Sequence, residues 1–224
     1  EGNEGIQALV LTPTRELADQ VSRDLRRLAQ CLPGIKILTL CGGTPLAPQA
    51  ASLLQPPDII VGTPGRILDH LGKRTLDLDG LSMLVLDEAD RMLDMGFGDD
   101  ITDIVAKMPR TRQTLLFSAT YPDDIRAISG RVQRDPVEIA VQTTHSEENI
   151  EQRFYDVAAE HKIEAISHLL RQLQPASALV FCNTRIACRE VSKALRSEGF
   201  PALALHGELE QRDREEVLVR FGNH

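Results

Sequence analysis

Tryptophan is absent and aromatic residues make up only 4% of the 224-residue chain, which excludes a base-stacking platform of the kind that sequence-tolerant single-strand binders use. The few aromatics present, Phe154, Tyr155, Phe181 and Phe221 among them, are therefore expected in the core. No apolar run reaches the roughly 18–20 residues of a bilayer span, and the opening Glu1-Gly2-Asn3-Glu4-Gly5 lacks the basic-then-apolar order of a secretory leader. No membrane partner is expected, and the chain reads as cytoplasmic. Cysteine is scarce: four residues, at 31, 41, 182 and 188, form no Cys-x-x-Cys pair and have no histidine at zinc-ligand spacing, so neither a metal framework nor a disulfide partner is expected. Cys182, inside an apolar run, reads as a small buried hydrophobe. Excess positive charge is lacking too, with 25 basic against 33 acidic residues and a net charge of −8. A polyanion would have to be held by local sites, not by a global field.

What is present reads as a folded α/β chain. Hydrophobic and charged fractions of 42% and 26% sit near globular averages, with 15 Gly and 12 Pro scattered along the sequence. Strand-like runs at Ile6–Thr12, Ile35–Leu40, Asp58–Val61, Met83–Leu86 and Thr114–Phe117 alternate with helical periods over 15–30, 46–54, 65–72, 99–107 and 123–130. Parallel strands need such crossovers, so the alternation predicts a parallel sheet with helices on both faces. A short strand is expected at Val137–Val141, followed by a polar linker over 142–149. The alternation then restarts, with strands at Gln152–Val157, Ala178–Cys182 and Ala202–Leu205 and helices at Lys162–Leu173, Ile186–Glu198 and Glu210–Phe221. Two domains are expected, 1–141 and 150–224, both truncated. Residue 1 is not Met, and a strand begins by Ile6, which predicts a piece of a longer protein.

The strongest chemical signal is Met83-Leu84-Val85-Leu86-Asp87-Glu88-Ala89-Asp90, a buried strand ending in carboxylates. Ligands of open α/β sheets bind beyond the carboxyl ends of the strands. In phosphoryl transfer an Asp placed there helps hold Mg²⁺, and an acidic neighbour orients or deprotonates water; Asp87 suits the first role and Glu88 the second. The plain alternative is a helix start favoured by its dipole. Thr14-Arg15, Thr63-Pro64-Gly65-Arg66 and Asn183-Thr184-Arg185 each fall where a strand gives way to a helix, where free N–H groups, hydroxyls and a guanidinium suit a phosphate. Thr14 and Thr184 serve equally well as helix caps. Gly42-Gly43 permits close backbone approach or a tight turn. Ser118-Ala119-Thr120 either bridges to Asp90 or caps the next helix. His206 reads as a turn residue.

Taken together, these segments resemble the motifs of the DEAD-box ATP-dependent RNA helicases of helicase superfamily two. Asp87-Glu88-Ala89-Asp90 resembles motif II, Pro13-Thr14-Arg15-Glu16-Leu17-Ala18 motif Ia, Gly42-Gly43 the Gly-Gly motif, Thr63-Pro64-Gly65-Arg66 motif Ib and Ser118-Ala119-Thr120 motif III. In the second half Val180-Phe181-Cys182-Asn183-Thr184 resembles motif IV, and Gln211-Arg212-Asp213-Arg214 the Gln-x-x-Arg element. Gly130-Arg131-Val132-Gln133-Arg134-Asp135-Pro136 and Leu209–Arg214 are similar to the bacterial DbpA subgroup, associated with ribosomal RNA. A His commonly replaces the last Asp of motif II in DNA-directed relatives, so Asp90 favours RNA over DNA.

The resemblance implies two tandem RecA-like domains that use ATP and Mg²⁺ to unwind short RNA duplexes locally. It implies catalysis by Asp87 and Glu88 and coupling through Asp90, Ser118 and Thr120. RNA backbone contacts are implied at Pro13, Thr14, Arg15, Gly42, Gly43, Thr63, Pro64, Gly65, Arg66, Thr184, Arg185, Gly207, Gln211 and Arg214. A role in ribosomal RNA or large-subunit assembly, on a pre-ribosomal particle, follows from the subgroup. No Gly-x-x-x-x-Gly-Lys-Ser/Thr loop occurs in the 224 residues. The resemblance places that loop and the Q motif upstream of residue 1, and motifs V and VI downstream, so the segment alone is expected to be inactive as an ATPase. The rival reading is a non-catalytic RNA-binding or regulatory module that keeps the helicase fold.

Overall fold

The computed structural model describes residues 5–32, 34–141 and 150–222. The chain divides into two compact units, Glu1–Ala140 and Val141–His224. The linker expected at 142–149 lies outside the described residues.

The first unit is built on five parallel strands, β1 (Ala8–Leu11), β2 (Ile37–Leu40), β3 (Ile59–Gly62), β4 (Met83–Leu86) and β5 (Gln113–Leu116), in the order β2-β3-β1-β4-β5. Each of these runs was legible in the sequence to within two residues at either end. Between and after them stand the helices α1 (Arg15–Leu28), α2 (Leu46–Leu53), α3 (Pro64–Gly72), α4 (Ala89–Asp94), α5 (Gly98–Val105) and α6 (Asp123–Val132). The one-turn-and-a-half helix α4 was not expected; its six residues are too few to show a period. Alternation along the strands sorts two cores. Leu9, Leu11, Ile60, Leu84 and Leu86 point to one face, packed with Ile67, Met92, Ile101, Ile104 and Ile125 from α3 to α6. Val10 and Val61 point to the other, where Ala18, Val21 and Leu25 of α1 cover them. Each fully buried Leu or Ile contributes about 1.5–3 kcal/mol of transfer free energy. Burial on both faces explains why these strands read as continuous apolar runs.

Register decides where the chemistry sits. Leu40 pairs with Gly62, Gly62 with Leu11, Leu11 with Leu86 and Leu86 with Leu116, so all five strands end at one level. The chain leaves β1 towards β3 and β2 on one side, and leaves β4 towards β5 on the other. The reversal between β1 and β4 is the switch point at which open α/β sheets bind ligands. Gly62 is required there because a Cβ would approach the Leu40 carbonyl oxygen to 2.6 Å.

The second unit holds α7 (Lys162–Leu173), α8 (Arg185–Ser197) and α9 (Gln211–Gly222), close to expectation. Its strands are a correction: 152–157, 178–182 and 202–205 are not in strands, and no ladder joins them among the described residues. Apolar runs and turn signals specify extended backbone, but a strand exists only when a neighbour accepts its hydrogen bonds. The aromatics there are correspondingly not core residues, with Phe154 92% and Phe181 93% exposed, and Tyr155 and Phe221 also exposed. Cys182 is half-buried, and burial, then the neighbouring Cys188, raises its thiol pKa. Val137–Val141 is likewise exposed and unpaired. No described helix is long and apolar enough to cross a membrane.

Candidate functional site

The end of β4 turns into α4 without a loop. Asp87 extends the ladder by one bond, donating its N–H to the Leu11 carbonyl at 3.0 Å, and Glu88 then takes a left-handed backbone conformation, with φ +48° and ψ +53°. Such a conformation costs a non-glycine residue on the order of 1–2 kcal/mol and persists only where its surroundings hold it. Here the Glu88 N–H donates to Asp87 Oδ1 at 3.0 Å, the Glu88 carbonyl accepts from Met92 N–H at 3.1 Å, and the Ala89 N–H donates to Phe117 O at 3.0 Å. The turn sets both half-buried carboxylates just past the strand end, beside the switch point. Glu88 shares one solvent-exposed ion pair with Arg91, at 3.7 Å.

Asp90, one residue into α4, reaches across to the end of β5. Its Oδ2 accepts from the Thr120 hydroxyl at 2.8 Å and from the Thr120 N–H at 3.0 Å, while its own N–H donates to Ser118 Oγ at 3.3 Å. Burial pushes this carboxyl up, but the Thr120 hydroxyl, the Arg91 and Thr120 N–H groups and Ser118 outweigh it and hold the pKa below the ordinary 3.8. Sequence spacing left bridging and capping open; the geometry is a bridge from α4 to the 118–120 turn.

On the other side of the switch point, three turns follow β1, β3 and β2. Thr14 caps α1, its Oγ1 accepting from Leu17 N–H at 3.3 Å, and Arg15 follows it. Gly43 has φ +78°, and a Cβ there would overlap the Arg15 guanidinium, so Gly42-Gly43 forms a tight turn packed against Arg15. Thr63 precedes α3 without capping it by its side chain; Pro64 takes the first helical position, and Gly65 and Arg66 follow. Pro13 and Pro64 are buried and shape the turns that present their neighbours. In the second unit Thr184 caps α8, accepting from Ala187 N–H at 3.1 Å. Arg185 and Arg189 each lie 2.7 Å from an oxygen of Glu208, next to Gly207, and His206 accepts from Arg189 Nε at 3.0 Å within a turn. Gln211 opens α9, donating to Glu215 at 3.1 Å, with Arg214 one turn on.

Within the first unit, then, the carboxylates and the donor turns share one edge of the sheet. Reasoning from sequence missed Gly62, which a glycine closing an apolar run signals, and Gln49 and His70, considered below. No cluster of three or more His, Cys, Asp or Glu able to hold a metal is present among the described residues. Asp87 fits a magnesium ion as one oxygen donor, because Mg²⁺ keeps waters and takes the rest of its shell from substrate phosphates.

A parallel sheet with acidic residues at its switch point and donor turns beside it defines an open α/β class whose ligands bind beyond the strand ends. The DEAD/DEAH box helicase family model matches residues 1–128, and the helicase conserved C-terminal domain model matches 161–224. The chain belongs to the DEAD/DEAH box helicase family. It is 59% identical to ATP-dependent RNA helicase DbpA of Escherichia coli over 217 residues, 97% of this chain and 48% of that protein. It is 46% identical to ATP-dependent RNA helicase CshA of Listeria monocytogenes over 217 residues, 96% of this chain and 42% of that protein. Among solved structures it is similar to a DEAD box protein from the hyperthermophile Methanococcus jannaschii, with a TM-score of 0.60 and 39% identity, covering 99% of this chain and 59% of that one. The chain thus spans about half the length of the curated relatives it matches.

Proposed function

We propose that this chain is part of an ATP-dependent RNA helicase, coupling ATP hydrolysis to local separation of RNA duplexes. The observation that carries the reading is the strained Glu88 turn, which holds Asp87 and Glu88 at the switch point of a sheet whose neighbouring strand ends carry Arg15, Gly43 and Arg66. In this reading Asp87 binds Mg²⁺ and Glu88 orients the attacking water, with the metal neutralising phosphate charge when bound. Asp90, Ser118 and Thr120 transmit the state of that site to the rest of the edge. The turns at 14–15, 42–43 and 63–66, with Thr184, Arg185, Gly207, Gln211 and Arg214, hold phosphate and sugar. Such contacts position a strand without reading its bases, and can prefer RNA through the 2′-hydroxyl. They also let an acidic protein bind RNA. Domain limits of 1–141 and 150–224, a cytoplasmic setting and a role on ribosomal RNA or a pre-ribosomal particle complete the proposal; the last rests on the DbpA-like segments at 130–136 and 209–214.

Without a Gly-x-x-x-x-Gly-Lys-Ser/Thr loop, residues 1–224 alone are expected to turn over little ATP. The second reading is a non-catalytic RNA-binding or regulatory module. RNA-stimulated ATP turnover, measured on the complete gene product, on its Glu88→Gln form and on residues 1–224, separates them. We expect an active complete protein, a loss of about 10²–10⁴-fold in Glu88→Gln and little turnover from residues 1–224. An inactive complete protein supports the module, and an unaffected Glu88→Gln removes the assignment of Glu88.

A further inference from the structure

Gln49, in α2, makes use of every hydrogen-bonding position of its amide. Its Nε2 donates to the Cys41 carbonyl at 3.0 Å and to Thr44 Oγ1 at 2.9 Å; its Oε1 accepts from Arg66 Nη1 at 2.8 Å and lies 3.2 Å from His70 Nε2. Arg66 closes the ring by donating from Nη2 to the Thr44 carbonyl at 3.0 Å. Two segments therefore meet at one side chain: residues 41–44, which flank the Gly42-Gly43 turn after β2, and the first two turns of α3.

The amide orientation follows from chemistry. The Cys41 carbonyl can only accept and the Arg66 guanidinium can only donate, so Nε2 faces the first and Oε1 the second. His70 must then present a proton from Nε2. It is fully buried, and burial followed by the Arg66 charge lowers its pKa from 6.5, which leaves one ring proton near neutrality. With that proton on Nε2, Nδ1 accepts from Thr75 Oγ1 at 2.8 Å, a shorter contact than the 3.2 Å from the same hydroxyl to the His70 carbonyl. The ring is thereby clamped in one tautomer between Thr75 and Gln49.

We propose that Gln49 is a positioning residue, oriented by His70, that sets the Gly42-Gly43 turn and the Arg66 guanidinium at a fixed spacing so that they engage consecutive phosphates of a single RNA strand as one unit. The proposal rests on the helicase reading for its ligand, though not for its geometry. Neither residue touches RNA in this account. Their effect is pre-organisation: a guanidinium and a turn already held in the binding geometry lose less freedom when the strand arrives.

The test uses the 224-residue chain as it stands, with Gln49→Leu, Arg66→Ala and the double variant. Binding of a fluorescein-labelled single-stranded oligoribonucleotide is followed by anisotropy, and the Arg66 guanidinium protons by NMR. Gln49→Leu is expected to weaken binding about tenfold, the equivalent of roughly one to two net hydrogen bonds, and to broaden the Arg66 signals by exchange. Arg66→Ala in the Gln49→Leu background is expected to cost far less than in the parent, because an unpositioned guanidinium has little left to lose. Unchanged affinity in Gln49→Leu, or losses that multiply independently, would overturn the proposal. If the unaltered chain binds no RNA, the RNA reading fails by itself, and the Arg66 signals decide the positioning: broadened in Gln49→Leu they uphold it, unchanged they sink it.

Discussion

Replacing Thr120 by valine keeps the shape of the side chain and deletes only the hydroxyl that donates to Asp90 Oδ2 at 2.8 Å; the Thr120 N–H, 3.0 Å from the same oxygen, stays. A hydrogen bond to a charged acceptor contributes about 1.5–3 kcal/mol, but Thr120 is exposed and water can replace part of it, so about 1 kcal/mol is expected. In a unit of this size the loss corresponds to roughly 3–5 °C in melting temperature. The sign of the pH dependence is set by Asp90. Its folded-state pKa lies below 3.8, so the stabilisation is complete above the unfolded-state value and disappears as pH falls through the lower folded-state one. Thr120→Val should therefore cost stability at neutral pH and nothing in strong acid. Urea denaturation at both pH values, combined in a double-mutant cycle with Asp90→Asn, isolates the pair. A cost that is the same at neutral and strongly acidic pH, or a cycle whose coupling is indistinguishable from zero, would show that the bridge between α4 and the 118–120 turn does not exist in solution.

Further expectations can be checked with simple chemistry. Gly62→Ala should destabilise the first unit by about 1–3 kcal/mol, read by chemical denaturation, because the new Cβ meets the Leu40 carbonyl at 2.6 Å and backbone cannot yield as a side-chain tip can; a neutral substitution would refute the close approach. Burial, reinforced by the Asp19 charge, raises the Cys41 thiol to about 11, whereas Cys31 is exposed. Alkylation at mildly alkaline pH should label Cys31 quickly and Cys41 only on unfolding, and mass spectrometry of the native labelled protein reads the difference. Glu208→Gln should release Arg185 and Arg189 from their 2.7 Å pairs, and NMR of their guanidinium protons should show faster exchange while α8 stays folded.

The amino-acid order by itself determined the alternation of elements in the first unit. A continuous apolar run such as Met83–Leu86 fits a strand buried on both faces, and the spacing of Leu17, Val21 and Leu25 sets one side of α1 against the sheet, while Leu28 at its end stays exposed. It also put Asp87, Glu88 and the turns at 14–15 and 63–66 at strand ends, where such sheets bind ligands, whereas 183–185 opens a helix with no strand before it. Strand order and register, set by long-range pairing, lie beyond local sequence pattern, and they alone brought the ends of β1, β2 and β3 next to those of β4 and β5. The left-handed turn at Glu88, the reach of Asp90 to Thr120 and the four-way bonding of Gln49 depend on groups that are distant in sequence. In the second unit the same local signals at 178–182 and 202–205 produced no strands, since a strand is defined by the hydrogen bonds of its neighbour. Local pattern specifies which backbone conformations are affordable; only the assembled fold supplies the partners that turn them into a sheet and a site.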